Sequence, residues 1–207
     1  MVPERPPLNS PPVVLTAVYA ESEPGPRGPS GGVEDGRLII RSSTAEEPAG
    51  IPVADVSFRD VLVDCRLELL EGGDDSVYGV YVRQTQGARY IGWGMTPTGR
   101  ALAGAIDQTW QPYVDADLAP DMPFERGLGH VNRFQVLTFG PAIVFVLNGA
   151  VVTGITVDAR FKEGFVGLWL LQGRQAPRAV MAADWLQIRA VLPDQEPGPQ
   201  DPGPQTA

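Results

Sequence analysis

Three apolar runs between His130 and Asp158 limit the possible folds more than any other segment; they read HVNRFQVLTFGPAIVFVLNGAVVTGITVD. The runs are separated by two pairs of turn-forming residues, Gly140-Pro141 and Asn148-Gly149. An Asn-Gly pair tolerates positive φ at both central positions, which a two-residue type I′ hairpin requires. The segment therefore predicts three consecutive antiparallel strands joined by tight turns.

Both faces of this predicted meander are apolar. Alternation along a strand puts Ile143, Phe145 and Leu147 on one face of its second strand. Val144 and Val146 then fall on the opposite face. A strand that is apolar on both faces is typical of stacked sheets rather than of a sheet with one solvated face. We therefore expect the meander to lie inside a two-sheet stack.

The rest of the chain between Asp55 and Leu192 is almost entirely strand-like. Short runs rich in Val, Tyr, Ile and Trp alternate with turn signals such as GGDD, TPTG and KEG. Strands of this length with Gly- and Pro-rich turns are typical of antiparallel sandwiches and barrels. We predict an all-β fold, an antiparallel two-sheet jelly-roll sandwich, with an acidic surface connection over residues 115–129.

Proline-rich segments flank this domain. Residues 1–12 carry five prolines, and residues 193–207 contain no aromatic or branched apolar residue. Such segments cannot bury enough surface to offset the entropy cost of ordering. We predict disordered tails at 1–12 and 193–207, one β-sandwich domain over 13–192, and a flexible loop at 21–32 within it. Two tails of this kind suggest that the domain is tethered to another domain or assembly.

The charge of the chain argues against two classes of partner. The formal net charge is −9 and the pI is near 4.6, so nucleic acid and anionic lipid surfaces would be repelled. No apolar run reaches the ~18 residues that cross a membrane, so membrane insertion is not expected. The N-terminus lacks the basic and apolar regions of a signal peptide. If Met1 is the natural start, we expect a cytoplasmic protein. This expectation does not apply if the chain is a fragment of an exported protein.

The order of the motifs resembles a known family of jelly-roll domains. Between Phe58 and Ile188 the chain contains, in order, SFRDVLVDCRLEL, VYGVYVRQ, RYIGWGMTPTGRALAGA, TWQPYV, GHVNRFQVLTFGPAIVFVLNGAVV, GFVGLWL and AADWLQI. This set resembles the concanavalin A-like lectin and glucanase domains of laminin-G type. It is most similar to the bacterial branch called domain of unknown function 1080, or 3-keto-disaccharide hydrolase-like. The chain departs from that branch at Trp185, where Asn is usual.

The resemblance implies a fold and leaves the activity open. Domains of this family are often appended modules that bind sugars or proteins on their concave sheet. We therefore expect a non-catalytic recognition module for a glycan or a protein surface. A glycoside hydrolase of the keto-disaccharide or glucanase type is one alternative, although the Glu-x-Asp-x-x-Glu strand of the glucanases is missing. A structural or assembly domain is the other.

Aromatic residues beside glycines give the strongest indication of a binding site. In VYGVYVRQ, strand alternation puts Tyr81 and Arg83 on one face. In RYIGWGMT, Tyr90 shares a face with two glycines, Gly92 and Gly94. The glycines would leave an open trough in which a sugar ring stacks on the tyrosines, although glycines in strands also serve only to permit twist or close packing. We predict a ligand-binding site made of Tyr81, Arg83, Tyr90 and Trp110.

Four other residues are assigned structural roles. Trp169 and Trp185 lie in strands with apolar neighbours, and we predict both in the core. Cys65, the only cysteine, lies within VLVDCRLEL and is expected to be a small buried hydrophobe rather than a nucleophile. Asn132 precedes a strand and is expected to tie down a loop backbone.

No catalytic residue and no metal ligand is assigned. Asp115 and Asp117 share a strand face, as a pair of glycosidase carboxylates would, but a solvated acidic edge explains them as well. His130 is the only histidine, and no GxSxG motif accompanies it. No cofactor is predicted, although acidic loops of this fold could hold calcium. The residues available for calcium are Asp74, Asp75, Asp115, Asp117 and Asp121.

Overall fold

Thirteen β-strands and one short 3-10 helix form the described part of this computed structural model. The structure describes residues 30–42, 49–53, 56–85, 89–107, 109–174 and 176–191. Within these residues no helix is long and apolar enough to cross a membrane. The tails predicted at 1–12 and 193–207 lie outside them, as does the start of the predicted sandwich domain, residues 13–29. The predicted loop 21–32 is described only from Ser30, where the chain is already in a strand.

The strands follow the predicted runs closely. They are β1 (Ser30–Glu34), β2 (Arg37–Ser42), β3 (Ala49–Pro52), β4 (Val61–Glu71), β5 (Val77–Gln84), β6 (Tyr90–Met95), β7 (Arg100–Asp107), β8 (Thr109–Asp117), β9 (Val131–Phe139), β10 (Ala142–Leu147), β11 (Ala150–Thr156), β12 (Phe165–Leu171) and β13 (Ala179–Ala190). The 3-10 helix spans Ala159–Phe161. Only the short strands β1 and β3 had no counterpart in the sequence-based reading, because neither contains a long alternating run.

The strands form two antiparallel sheets. Seven strands lie in the order β1-β2-β13-β4-β9-β10-β11, and six lie in the order β3-β12-β5-β6-β7-β8. Every described pairing is antiparallel, as in β4 with β9 and β5 with β6. The predicted all-β two-sheet jelly-roll sandwich is therefore confirmed.

The core lies between the sheets and is built from the inward half of each alternating strand. Trp93 of β6 stacks on Phe145 of β10, with ring centroids 5.1 Å apart. Tyr78 of β5 meets Phe134 of β9 edge to face at 5.4 Å. Cys65 is fully buried, as predicted, and burial raises the pKa of its thiol. A neutral buried thiol packs as a small apolar group and is inert as a nucleophile.

The Asn-Gly hairpin forms as the sequence predicts, and its asparagine also organises a loop. Asn148 and Gly149 have φ of 48° and 87°, the two positive values of a type I′ turn. Asn148 donates a 2.7 Å hydrogen bond to the side-chain oxygen of Asn132. Asn132 in turn exchanges hydrogen bonds with the backbone N–H and C=O of Glu125, at 3.0 and 2.9 Å. The predicted role of Asn132 in tying down the connection before β9 is confirmed.

Candidate functional site

Aromatic rings cover the outer face of the six-stranded sheet and lie over its glycines. Trp169 of β12 reaches across β5, and its Nε1 donates a 2.9 Å hydrogen bond to the backbone oxygen of Trp93 in β6. A methyl group placed on Gly94 would lie 3.1 Å from the Trp169 ring. One placed on Gly167 would lie 2.1 Å from Cζ of Tyr81. The glycines therefore provide the space into which the neighbouring rings pack.

These rings fill the trough that the sequence predicts to be open. Tyr81 and Trp169 are 1% and 2% exposed, and Tyr90 is 8% exposed. Tyr81 and Tyr90 also contact each other, with centroids 5.3 Å apart. Burial raises the pKa of Tyr90. Tyr81 and Tyr90 thus offer no open ring face to a ligand, because Trp169 occupies the space above the glycines of β6.

Arg83 is removed from this face by its own backbone. Its φ is +58°, so the alternation of β5 breaks there, and its side chain is 1% exposed. The guanidinium donates to the backbone oxygens of Phe161 at 2.9 Å, Arg59 at 3.1 Å and Gly140 at 2.6 Å. Burial lowers the pKa of Arg83, and Asp60, 3.8 Å away, acts in the opposite direction. The prediction that Arg83 contacts a ligand is therefore wrong. Its side chain ties three backbone segments together inside the protein.

Trp110 is the one predicted ligand residue that keeps some exposure. It is half-buried on β8, the outermost strand of the six-stranded sheet. Its ring lies over Gly104 and contacts Trp169, with centroids 5.9 Å apart. Its role in ligand binding stays a prediction. The four predicted residues do not converge on one accessible site.

A different aromatic residue is exposed on the opposite side of the molecule, on the outer face of the seven-stranded sheet. In β13, Ala183 pairs with Leu67 of β4 and Trp185 pairs with Arg66, so Asp184 is an extra residue in a bulge. The bulge shifts the alternation by one and turns Trp185 outward. Trp185 is 40% exposed, and its predicted place in the core is therefore wrong. The sequence signal that could have found it is the Asp-Trp pair that departs from the family motif.

The guanidinium of Arg133 lies over the ring of the exposed Trp185. The guanidinium carbon of Arg133 lies 5.8 Å from the centre of the Trp185 ring, within the range of a cation–π contact. Asp64 holds the same guanidinium in a two-point ion pair, with distances of 2.8 and 2.5 Å. Gln135 donates a further 3.0 Å hydrogen bond to Asp64. The hydrogen bond with Asp64 raises the pKa of Arg133, and the two-point ion pair holds the guanidinium over the indole.

Arg66 lies between Trp185 and Arg133 and is exposed. Two shallow depressions, of about 390 and 500 Å³, meet at Arg66 and Arg133. The lining of the first is completed by Val131, Asn148 and Gly149, and that of the second by Asp184 and Trp185. Among the described residues, neither Arg66 nor Asp184 makes a hydrogen bond or an ion pair. The depressions thus present a free donor and a free acceptor on either side of an aromatic ring.

Two carboxylates of this face, Asp64 and Glu68, are spaced too widely to act as a glycosidase pair. Asp64 and Glu68 point outward from β4 with Arg66 between them. Residues four apart on a strand are about 13 Å apart, whereas glycosidase carboxyl groups are about 5–9.5 Å apart. Both are also held in ion pairs, Asp64 with Arg133 and Glu68 with Arg37.

The candidate carboxylate pair on β8 lies at an exposed edge. Asp115 accepts two hydrogen bonds from Arg100, at 2.5 and 2.8 Å, and Asp117 is exposed beside it. The neighbouring strand β7 places Leu102 opposite Asp115 and Arg100 opposite Asp117, so no further acid faces the pair from that strand.

The acidic loops do not converge on a cation site in the part of the chain that is described, where no three acidic, His or Cys side chains form a group that could hold a metal. Asp75 instead accepts a 3.0 Å hydrogen bond from the backbone N–H of Arg174. Its carboxylate therefore has a turn-forming role.

Comparison with known proteins identifies the class of fold. No protein-family model and no curated protein sequence matches the chain. Solved structures do match, and the two sheets correspond to those of concanavalin A-like jelly-roll domains, which confirms the fold that the motifs predict. The closer assignment to domain of unknown function 1080 stays a prediction.

Three solved structures illustrate the likeness. The carbohydrate-binding module CBM66 from Bacillus subtilis matches with a TM-score of 0.64 at 11% identity, covering 79% of this chain and 92% of that one. The catalytic domain of an endo-1,3-beta-glucanase from Thermotoga petrophila matches with a TM-score of 0.53 at 11% identity, covering 76% and 79%. The alginate lyase AlgAT5 of polysaccharide lyase family 7 matches with a TM-score of 0.57 at 8% identity, covering 81% and 84%. At these identities the likeness establishes the fold alone.

Proposed function

We propose that this domain is a non-catalytic glycan-recognition module whose binding surface is the outer face of the seven-stranded sheet. The observation that carries the proposal is the exposed Trp185, which Arg133 contacts over its ring and which the free side chains of Arg66 and Asp184 adjoin. Exposed large aromatics with polar groups around them are typical of binding surfaces on otherwise polar proteins.

The chemistry of the site matches a sugar. The apolar C–H face of a pyranose ring can stack on the face of the Trp185 indole that Arg133 does not cover. Sugar hydroxyl oxygens can accept hydrogen bonds from Arg66, and hydroxyl hydrogens can be donated to Asp184. Charged groups form stronger hydrogen bonds than neutral ones, and these two are free among the described residues. The ring is already oriented by Arg133, so little rotamer freedom is lost on binding.

The comparisons support a function related to glycans without deciding its type. The three matched structures are, by name, a carbohydrate-binding module, a glucanase and an alginate lyase. The non-catalytic alternative is favoured because Asp64 and Glu68 are far apart and paired with arginines, which leaves Asp184, among the described residues, as a single free carboxylate beside Trp185. We also propose that the proline-rich segments tether the domain to another domain or assembly. A protein surface is the alternative to a glycan as the ligand.

A glycan array followed by calorimetry on the best ligand tests the proposal. We expect Trp185→Ala to weaken binding by about 10- to 100-fold, since central aromatic contacts are typical hot spots. Arg66→Ala should weaken it less. Trp110→Ala is the matched control on the other sheet and should leave the affinity unchanged. If Trp110→Ala abolishes binding and Trp185→Ala does not, the ligand binds the six-stranded sheet instead. Failure of the intact protein to bind any glycan overturns the proposal.

A further inference from the structure

The two depressions on the outer face of the seven-stranded sheet differ in charge. The first contains two cations and no carboxylate among its lining residues, which are Arg66, Val131, Arg133, Asn148 and Gly149. The second shares the two arginines and adds Asp184 and Trp185. A ligand that spans both depressions therefore meets a cationic end and an end that combines an acid with an aromatic ring.

Arg66 and Arg133 are cross-strand neighbours of like charge. In the pairing of β4 with β9, Arg66 lies directly opposite Arg133, and both residues are exposed. Opposite positions of an antiparallel pair bring Cβ atoms to about 4.5–5.5 Å, and like charges at such positions destabilise a sheet. An anion bound between the two guanidinium groups would offset this repulsion.

The protein compensates only one of these two charges. Arg133 is held by the two-point ion pair with Asp64, at 2.8 and 2.5 Å. On β2 of the same sheet, Arg37 and Arg41 are likewise each paired with a glutamate. Arg66 makes no hydrogen bond or ion pair with any residue that the structure describes. Its positive charge is therefore left for a ligand, on a sheet that pairs the neighbouring arginines internally.

The acidic character of the chain makes this local charge decisive. A net charge of −9 repels anions at long range, so an anionic group can bind only where a nearby cation is not already neutralised. Arg66 meets that condition in the first depression. In the second, the free carboxylate of Asp184 repels an anion, which leaves the ring of Trp185 for an uncharged part of the ligand.

We propose that the ligand is an acidic glycan whose carboxylate or sulfate group binds Arg66 in the first depression, while a sugar ring stacks on Trp185 in the second. This inference rests on the proposed function, because it names the class of glycan for the same surface. A guanidinium offers two parallel N–H donors that match the oxygens of a carboxylate or a phosphate, and a sulfate has the same tetrahedral shape as a phosphate. Arg133 already spends two donor groups on Asp64, so Arg66 supplies the main contact.

Calorimetry with matched pairs of oligosaccharides tests the proposal. One pair is an oligouronate and its carboxyl-reduced neutral form, and the other is a sulfated oligosaccharide and its desulfated form. We expect the anionic member of at least one pair to bind about 10-fold more tightly, because hydrogen bonds to charged groups contribute more than neutral ones. The pair that shows this preference identifies the anionic group as a carboxylate or a sulfate.

Three variants locate the anionic group. Arg66→Gln removes the charge but keeps a hydrogen-bond donor, so it should bind the anionic and neutral members about equally. Arg66→Lys should retain part of the preference, since an ammonium keeps the charge without the two-point geometry. Arg174→Gln is the matched control, because Arg174 is exposed and lies outside both depressions. It changes the net charge by the same amount and should keep the full preference.

Two results overturn this proposal and leave the proposed function standing. One is a wild-type protein that binds the neutral members as tightly as the anionic ones, or binds neutral glycans alone. The other is a preference for the anionic members that survives Arg66→Gln, which would put the anionic group elsewhere on the protein. Failure to bind any glycan, acidic or neutral, overturns both proposals together.

Discussion

The outer faces of the two sheets use tryptophan in opposite ways. On the six-stranded sheet, Trp169 lies flat over glycines, bonds to the backbone of Trp93 and is 2% exposed. On the seven-stranded sheet, Trp185 contacts the guanidinium of Arg133 through its ring and is 40% exposed. Glycines beside aromatic residues thus make room for the protein's own rings. An aromatic residue among charged side chains stays exposed and can contact a ligand.

The first way to break this comparison is Trp169→Ala. We expect it to reduce the free energy of unfolding by about 3–5 kcal/mol, as removal of a buried tryptophan does, because the ring and its bond to the Trp93 carbonyl are both lost. Urea denaturation measures the change. Trp169→Phe should cost less, since it keeps part of the ring contact. A loss below about 1 kcal/mol would be in the range of a surface substitution and would mean that the ring is not packed as described.

The second test is the substitution Arg83→Ala, at the other buried residue that was predicted to contact a ligand. It removes the donor to three backbone carbonyls, and we expect a loss on the order of 2–3 kcal/mol, since hydrogen bonds to charged groups contribute more than neutral ones. Denaturant unfolding gives the value, and Arg83→Lys should recover only part of it because an ammonium cannot span the three acceptors. Glycan affinity of the folded variant should be unchanged. Unchanged stability together with lost binding would return Arg83 to the ligand site.

Alkaline pH probes the buried aromatic face through Tyr90. Its pKa is raised by burial, so the folded state favours the neutral phenol more than the unfolded state does. The resulting stability is complete below the ordinary tyrosine pKa of about 10 and is lost as pH rises above it. One such group contributes a slope of at most about 1.4 kcal/mol per pH unit.

Unfolding free energies measured from pH 8 to 11 test this expectation. Tyr90→Phe should flatten the decline. Part of the slope should remain, because burial also raises the pKa of Tyr78 in the core to about 12 and raises that of Cys65. An identical slope in wild type and Tyr90→Phe would mean that the phenol of Tyr90 is solvated in the folded protein.

The smallest effect on stability is expected from Trp185→Ala, the same substitution as Trp169→Ala on the other face. The lost cation–π contact with Arg133 is worth about 0.5–1 kcal/mol at an exposed site. The change should therefore stay within about 1 kcal/mol in thermal or urea unfolding, while glycan binding falls. A destabilisation as large as that of Trp169→Ala would remove the difference between the two faces.

The sequence by itself determined the class of fold and most of its core. Alternation of apolar residues, the Asn148-Gly149 turn and Gly/Pro-rich breaks define an antiparallel sandwich, and they place Cys65 inside it. These signals are local, because a strand's period and a turn's φ values depend on residues that are adjacent in the chain.

The tertiary structure alone decided the candidate site. The bulge at Asp184 depends on how β13 pairs with β4, and one extra residue sends Trp185 to the opposite face. The buried position of Arg83 depends on hydrogen bonds to three carbonyls from distant segments, and the Trp169 ring reaches its hydrogen-bond partner only across the neighbouring strand β5. Alternation predicts the two faces of a strand only while the pairing is regular. Exposure of these side chains is settled by long-range register and by what packs above the glycines.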